Sequence, residues 1–212
     1  MKMHKGSLIV VSGFSGAGKG TIMKKLVSET EDFALSISMT TRAPREGEQH
    51  GKEYYFVTKE VFEETIANDG LVEYACYCGN YYGTPKSYVD EMLSAGKNVL
   101  LEIEMQGAMK IKERFPEAVL LFVMPPSAKV LYERLVGRGT ETKEVIDKRM
   151  ARAVEESQGI EQYDYIVVND DLDTCVEEVK AIVAASANAA VRNREFIELV
   201  RGELSSLVKG EN

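Results

Sequence analysis

The segment GFSGAGKGT at residues 13–21 has the composition and spacing of a phosphate-binding loop. It follows a short apolar run, Leu8–Val11, and precedes a segment whose apolar residues recur at helical spacing. Glycines between a strand and a helix allow a tight turn in which backbone N–H groups converge, and the helix N-terminus adds a partial positive charge. Lys19 supplies a full charge. The sequence therefore predicts a site for nucleoside triphosphate, with an ordinary glycine-rich turn as the alternative.

One position in this loop departs from the strict pattern. That pattern has Ser or Thr directly after the lysine, where the hydroxyl holds Mg²⁺. Here Gly20 occupies that position, and Thr21 comes one residue later. The sequence therefore assigns no protein ligand to Mg²⁺.

The segment TTRAPR at residues 40–45 could hold a phosphate dianion. Arg42 and Arg45 lie close together in a segment stiffened by Pro44, and each guanidinium presents a planar fork of donors that matches phosphate oxygens. Tyr54 and Tyr82 could add hydroxyl donors. A solvated basic loop is the alternative interpretation, because most runs of charge lie on the surface.

Four arginines lie in a polar segment over residues 134–152, which we interpret as a flap. They are Arg134, Arg138, Arg149 and Arg152, and spacings of four and three place each pair on one face of a helix. Phosphoryl transfer requires positive charge around the transferred group. Surface pairing with nearby acids is the alternative, and it is weaker for Arg138, which lies between two glycines.

Three acidic residues could recognise a base or orient water around a metal ion. Glu102 and Glu104 end a predicted strand, alternate with Leu101 and Ile103, and should therefore point to the same side. In an open parallel sheet that end faces the ligand crevice. Glu73 is an acid within the apolar segment LVEY, although it could also be a partly exposed strand residue.

The elements that position these residues follow from periodicity. Four apolar runs predict buried parallel strands, namely Leu8–Val11, Val99–Leu101 with Ile103, Val119–Met124 and Tyr165–Val168. Helices are predicted at 20–30, at 85–95, from Ser127 through Leu135, and from about Leu172, where the pattern could continue to Val208. Pro85 is expected at a first helical position, with Thr84 as its N-cap. This alternation predicts an α/β fold, interrupted by a β-rich insertion over about 36–82.

Composition narrows the class of protein. The 212 residues suit one domain, and a formal net charge of −8 argues against binding to nucleic acid or to an anionic membrane. Three cysteines (Cys76, Cys78 and Cys175) and two histidines (His4 and His50) do not have the spacing of a zinc site. We expect reduced cysteines and a cytoplasmic protein without a signal peptide or membrane span. The sequence does not identify a protein partner.

Taken together, these segments resemble guanylate kinase, a P-loop enzyme that phosphorylates GMP. The stretches that match, in order along the chain, are 13–21, 38–45, 51–56, 79–83, 102–107, 138–142 and 168–171. The resemblance implies a three-layer P-loop NTPase core with a parallel sheet, formed by about 1–35, 85–133 and 153–212. It also implies a small mixed GMP-binding region at about 36–84 and a helical lid at about 134–152.

The resemblance also implies a role for each matching residue, with ATP as phosphoryl donor, GMP as acceptor and Mg²⁺ as cofactor. Acceptance of dGMP stays open. Residues that hold the ATP phosphates would be Gly13, Phe14, Ser15, Gly16, Ala17, Gly18, Lys19, Gly20 and Thr21, with Asn169 beside adenine. Residues that hold the GMP phosphate would be Ser38, Arg42, Arg45, Tyr54 and Tyr82, and those that read guanine would be Glu73, Thr84 and Glu104. Catalytic residues would be Lys19, Arg42, Arg138 and Arg149.

Three positions depart from the family pattern. Phe14 stands where proline is frequent, Gly20 replaces the usual serine, and Glu104 lengthens the reach of an acid that is aspartate in many members. Two other functions stay open, namely another small-substrate P-loop kinase and a related interaction module without catalysis. Paired acids at Glu73 and Glu104 argue against AMP, because a carboxylate accepts from guanine N1–H but repels the N1 acceptor of adenine.

Overall fold

The computed structural model describes residues 5–77, 79–137 and 142–209, which form two sheets surrounded by helices. The strands, numbered along the chain, are β1 (Leu8–Gly13), β2 (Phe33–Leu35), β3 (Met39–Thr40), β4 (Tyr55–Phe56), β5 (Leu71–Tyr77), β6 (Asn80–Pro85), β7 (Asn98–Glu102), β8 (Val119–Met124) and β9 (Tyr165–Val168). The α-helices are α1 (Lys19–Glu29), α2 (Lys59–Ala67), α3 (Lys86–Ser94), α4 (Met105–Arg114), α5 (Ala128–Gly137), α6 (Lys143–Ser157), α7 (Leu172–Ser186) and α8 (Arg194–Lys209).

The larger sheet is entirely parallel and has the order β2-β7-β1-β8-β9. Its central strands are the most apolar, and residues such as Ile9, Val10 and Leu120 have no exposed surface. Helix α1 contacts β2, β7 and α7, whereas α3 contacts β7 and α4 contacts β1. The predicted parallel α/β core is therefore confirmed, and the near-continuous apolar runs reflect strands covered on both faces.

The smaller sheet is mixed and has the order β4-β3-β6-β5. Strands β3 and β4 are parallel, and β6 runs antiparallel to both β3 and β5. Helix α2 lies in the same insertion and packs Phe62 into it with no exposed surface, with the ring stacked on that of Tyr81 at 5.1 Å. The β-rich insertion is thus confirmed, with one helix that periodicity did not predict.

Several predicted boundaries are wrong. Pro85 ends β6 and caps α3, so it does not occupy a first helical position. Ile103 lies outside β7, which ends at Glu102. The long C-terminal helix is two helices, because the chain turns after Ser186 and the Asn193 amide donates to the carbonyl of Ala189.

Periodicity did not predict α2, α4 or α6, although α6 overlaps the helical lid that the resemblance implied. Helices α4 and α6 are more polar than the other helices. In the described residues, no helix combines the length and the apolar composition that crossing a membrane requires.

Candidate functional site

Parallel strands bring the predicted phosphate loop and the predicted acids to one edge of the larger sheet. Strand β1 runs directly into the loop, while β7 ends at Glu102 and β9 ends one residue before Asn169. A small cleft at this edge is lined by Ser12, Gly13, Lys19, Glu102, Ile103, Glu104, Met105, Phe122 and Glu156. A larger cavity lies at the opposite edge, where strands begin, and it is remote from these residues.

The phosphate loop closes against the start of α1. Gly18 is the N-cap of this helix at φ 95°, and its carbonyl accepts hydrogen bonds from the N–H groups of Thr21 and Ile22. A Cβ atom at Gly18 would lie 2.2 Å from Nδ2 of Asn169. Both the left-handed backbone and this close approach require glycine here.

Lys19 folds back over the loop. Its Nζ donates to the carbonyl of Gly13 at 2.7 Å and to that of Phe14 at 3.3 Å, and it lies 4.0 Å from Oε1 of Glu102. Its side chain is 16% exposed. The ammonium group is thus held beside the loop amides, where a phosphate would displace its carbonyl contacts.

Asn169 supports the loop from behind. It is buried, and its side-chain Nδ2 donates to the carbonyl of Ala17 at 2.8 Å. Its backbone carbonyl accepts from Nη2 of Arg134 at 2.8 Å. Arg134 therefore holds the segment after β9, and among the described residues it forms no ion pair with an acid. The predicted contact of Asn169 with adenine stays a prediction.

Strand pairing brings together three of the residues predicted to hold a monophosphate. The guanidinium of Arg42 lies 5.3 Å from the ring of Tyr54, and the rings of Tyr54 and Tyr82 are 6.1 Å apart. A contact with the Tyr82 hydroxyl contributes to the raised pKa of Arg42, although the main cause is Glu48. Burial raises the pKa of Tyr54, so its hydroxyl keeps a proton to donate at neutral pH.

Ser38 and Arg45 flank this cluster. Ser38 directly precedes β3, and its carbonyl accepts from the N–H of Tyr55. The side chain of Arg45 is exposed, and its backbone N–H donates to Glu48. The site thus combines one stacked guanidinium with one exposed guanidinium.

Glu73 is a half-buried carboxylate in the smaller sheet. Its Oε1 accepts from Oγ1 of Thr84 at 2.9 Å, and its Oε2 lies 3.6 Å from where a Cβ on Gly107 would be. Burial raises the pKa of Glu73, an effect that the Thr84 hydrogen bond partly opposes. Because α3 has no side-chain cap, the predicted capping role of Thr84 is wrong, and its hydroxyl serves Glu73 instead.

Glu104 lies at the N-cap of α4, the helix whose first turn faces Glu73. Its Oε2 accepts from Arg152 at 2.8 Å, and Nε of the same arginine donates to Glu156 at 2.9 Å. Arg152 therefore bridges α6 to this end of α4, which goes beyond the pairing within its own helix that the sequence suggested. Burial raises the pKa of Glu156.

Helix α6 also places Arg149 over the phosphate loop, where its Nη1 donates to Oγ of Ser15. Arg138 lies outside the described residues, as do Cys78 and His4. Over the ranges that the structure describes, there is no group of three or more potential metal ligands. Thr21 is exposed at the loop, and Gly20 has no atom within 4 Å of a Cβ position.

Sequence reasoning did not single out Glu48 or Glu156 as part of the site. Glu48 follows Gly47 in a turn and could have been identified as an acid close to two arginines. Glu156 lies one helical turn after Arg152, but nothing local showed that this end of α6 reaches the cleft.

Comparison with known proteins agrees with this arrangement. A family model described as guanylate kinase matches residues 5–186. The guanylate kinase of Halalkalibacterium halodurans is 52% identical over 87% of this chain and 91% of its own length, and that of Clostridioides difficile is 50% identical over 93% and 96%. The crystal structure of guanylate kinase from Anaplasma phagocytophilum is 34% identical with a TM-score of 0.70, covering 92% of this chain and 95% of that one. On these matches, the chain belongs to the guanylate kinase family.

Proposed function

We propose that this chain transfers the terminal phosphoryl group of ATP to GMP and releases ADP and GDP. The observation that carries the choice of GMP is the half-buried carboxylate of Glu73 beside Thr84. A buried carboxylate is costly without donors, and guanine supplies donors at N1 and at its amine. Family membership supports the same reaction.

The phosphate loop and Lys19 bind the ATP phosphates. The loop leads directly into the N-terminus of α1, which favours an anion, and Lys19 exchanges its carbonyl contacts for phosphate oxygens. Asn169 fixes the loop from behind and lies beside adenine. This arrangement requires no covalent intermediate, because positioning and charge neutralisation account for phosphoryl transfer.

The smaller sheet binds GMP. Arg42, Arg45, Tyr54, Tyr82 and Ser38 hold its phosphate, while Glu73, Thr84 and Glu104 contact guanine. For Glu104 to read the base, its carboxylate must share or exchange the contact with Arg152. Because Arg152 lies on α6, binding of the base to Glu104 and the position of α6 depend on each other.

The lid comprises about residues 134–152, and two of its arginines, Arg138 and Arg149, act on the transferred group. Arg149 already lies beside Ser15 of the loop. The resemblance to guanylate kinase gives Arg138 the same role. These charges offset the negative charge that spreads over the phosphoryl oxygens.

Mg²⁺ accompanies ATP in this proposal. Magnesium keeps several water ligands and binds through phosphates and one or two protein oxygens, so it does not need the group of three or more ligands that the described residues lack. Thr21 and Glu102 are the residues that would hold it, because Gly20 offers no hydroxyl. Bound at this position, the ion neutralises charge on the phosphate oxygens.

A coupled assay for ADP release on addition of GMP tests this function. We expect release that requires GMP, ATP and Mg²⁺ together. An interaction module would bind without release, and a kinase for another monophosphate would respond to AMP instead of GMP. Either result would refute the proposal.

A further inference from the structure

A tight turn presents Glu48 to Arg42. The N–H of Glu48 donates to the carbonyl of Arg45, and Gly47 at the third position of the turn has φ 86°. A residue with positive φ at that position is characteristic of a type II turn, which favours glycine there. The sequence REGE at 45–48 therefore encodes the geometry that brings this acid back toward the arginine.

Glu48 forms a bidentate ion pair with the two terminal nitrogens, Nη1 and Nη2, of Arg42. Its Oε2 accepts from Nη1 at 3.0 Å and its Oε1 from Nη2 at 2.9 Å, while Nη1 also donates to the carbonyl of Ala43 at 2.8 Å. The rings of Tyr54 and Phe56 lie 5.3 and 5.8 Å from the same guanidinium. The hydrogen bonds fix the guanidinium of Arg42 within its own plane, and the two rings pack against it.

The lateral edge of the guanidinium is formed by Nε and the remaining Nη2 hydrogen. Glu48 does not bind this edge. Tyr82, another residue predicted to hold the phosphate, also contacts Arg42. An arginine has enough donors to bind one anion through its end and a second through its lateral edge. A phosphate can thus bind Arg42 without displacing Glu48.

We propose that Glu48 is a positioning residue that presents the lateral edge of Arg42 to the phosphate of the nucleoside monophosphate. It also accepts from the backbone N–H of Arg45 at 2.7 Å, so it sets the start of the turn that carries the second arginine. This inference rests on the proposed function, because it takes the acceptor phosphate to bind at this cluster.

Glu48 could instead compete with the phosphate for Arg42, and that role predicts a different effect on GMP binding. If its carboxylate occupied the phosphate position, GMP would have to displace it, and removing the charge would strengthen binding. The pair is largely shielded from solvent, with side-chain exposures of 15% for Arg42 and 18% for Glu48. Contact with Arg42 lowers the pKa of Glu48, so the carboxylate stays ionised and paired with Arg42 at neutral pH.

The test compares Glu48→Gln with Glu46→Gln, which removes one negative charge from an exposed position in the same turn. For Glu48→Gln we expect KM for GMP to rise about tenfold, the scale of one hydrogen bond to a charged group, with kcat within about twofold of wild type. Guanosine lacks the phosphate, so its inhibition constant against GMP should stay unchanged. Glu46→Gln should match wild type in every measurement.

A second measurement places Glu48→Gln in an Arg42→Lys background. Because Glu48 acts through the guanidinium fork, the effect on GMP binding should shrink to less than about twofold there. A lower KM in Glu48→Gln, no change in KM, equal loss of GMP and guanosine binding, or full additivity with Arg42→Lys would each overturn the inference. Wild-type protein that phosphorylates no GMP would instead overturn the proposed function, and this inference with it.

Discussion

Replacing Glu73 with glutamine separates base recognition from folding. Glutamine has nearly the same shape, and its amide oxygen can still accept the hydrogen bond from Thr84, which is 2.9 Å long in the wild type. What the change removes is the negative charge and one acceptor, both directed at the guanine donors. We therefore expect a loss of GMP phosphorylation with the surrounding packing preserved.

The size of the loss follows from that chemistry. A hydrogen bond to a charged group contributes about 1.5–3 kcal/mol, so kcat/KM for GMP should fall about 10- to 150-fold. The glutamine amide also offers donors, which suit the N1 acceptor of adenine. The ratio of kcat/KM for GMP to that for AMP should therefore narrow.

The same substitution should change how stability depends on pH. Burial raises the pKa of Glu73 above its ordinary value of 4.5, so the folded protein binds this proton more tightly than the unfolded chain does. That contribution to the free energy of unfolding is complete below 4.5 and is lost as pH rises through the folded pKa. Glu73→Gln has no such proton, so its stability relative to wild type should increase across this range.

Denaturant unfolding without ligand, repeated between pH 4 and pH 8, measures this difference alongside the kinetics. Glu64→Gln, on the exposed face of α2, is the matched control and should alter neither quantity. Unchanged kcat/KM for GMP in Glu73→Gln would refute our account of guanine recognition. A stability difference that shrinks as pH rises would refute the assignment of a raised pKa.

Three further predictions concern the phosphate loop and the lid. Lys19→Met should lower turnover at least about 10²-fold with little change in unfolding, and near-normal turnover would exclude the loop as the ATP site. Gly18→Ala should destabilise the protein by about 1–3 kcal/mol in denaturant unfolding, because φ is 95° and Asn169 lies 2.2 Å from the new Cβ. Gly20→Ala, with no atom within 4 Å, is its control, and equal stabilities would contradict this explanation. GMP with a non-hydrolysable ATP analogue should compact the protein in X-ray scattering through closure of the lid, and an unchanged radius of gyration would count against closure.

The parallel core could be predicted because its signals are local. Strands such as Val119–Met124 are continuous apolar runs, and the glycine-rich loop has one possible place between strand and helix. Helices α4 and α6 lacked such signals, because their exposed faces carry most of their charge. Their apolar contacts, through residues such as Ile111 and Ile146, become visible only against the sheet and α5.

Contacts between particular side chains in the candidate site were harder to predict than the residues that belong to the site. Thr84 was expected to cap α3, and its hydroxyl instead donates to Glu73 across the antiparallel pair β5–β6. Arg152 was expected to pair within its own helix, and it also reaches Glu104, which is 48 positions away. Such contacts depend on how helices and sheets pack, which spacing along the chain does not report.

The most direct test of the central claim is kcat/KM for GMP, IMP and AMP with the wild-type protein and ATP. Guanine offers two donors to the carboxylates, hypoxanthine offers only N1–H, and adenine presents an acceptor at N1. We predict that GMP exceeds AMP by about 10³-fold or more, with IMP between them, because a shielded acid such as Glu73 discriminates strongly when it is left without a donor. A preference for AMP, or equal values for all three, would contradict the claim that this site selects guanine.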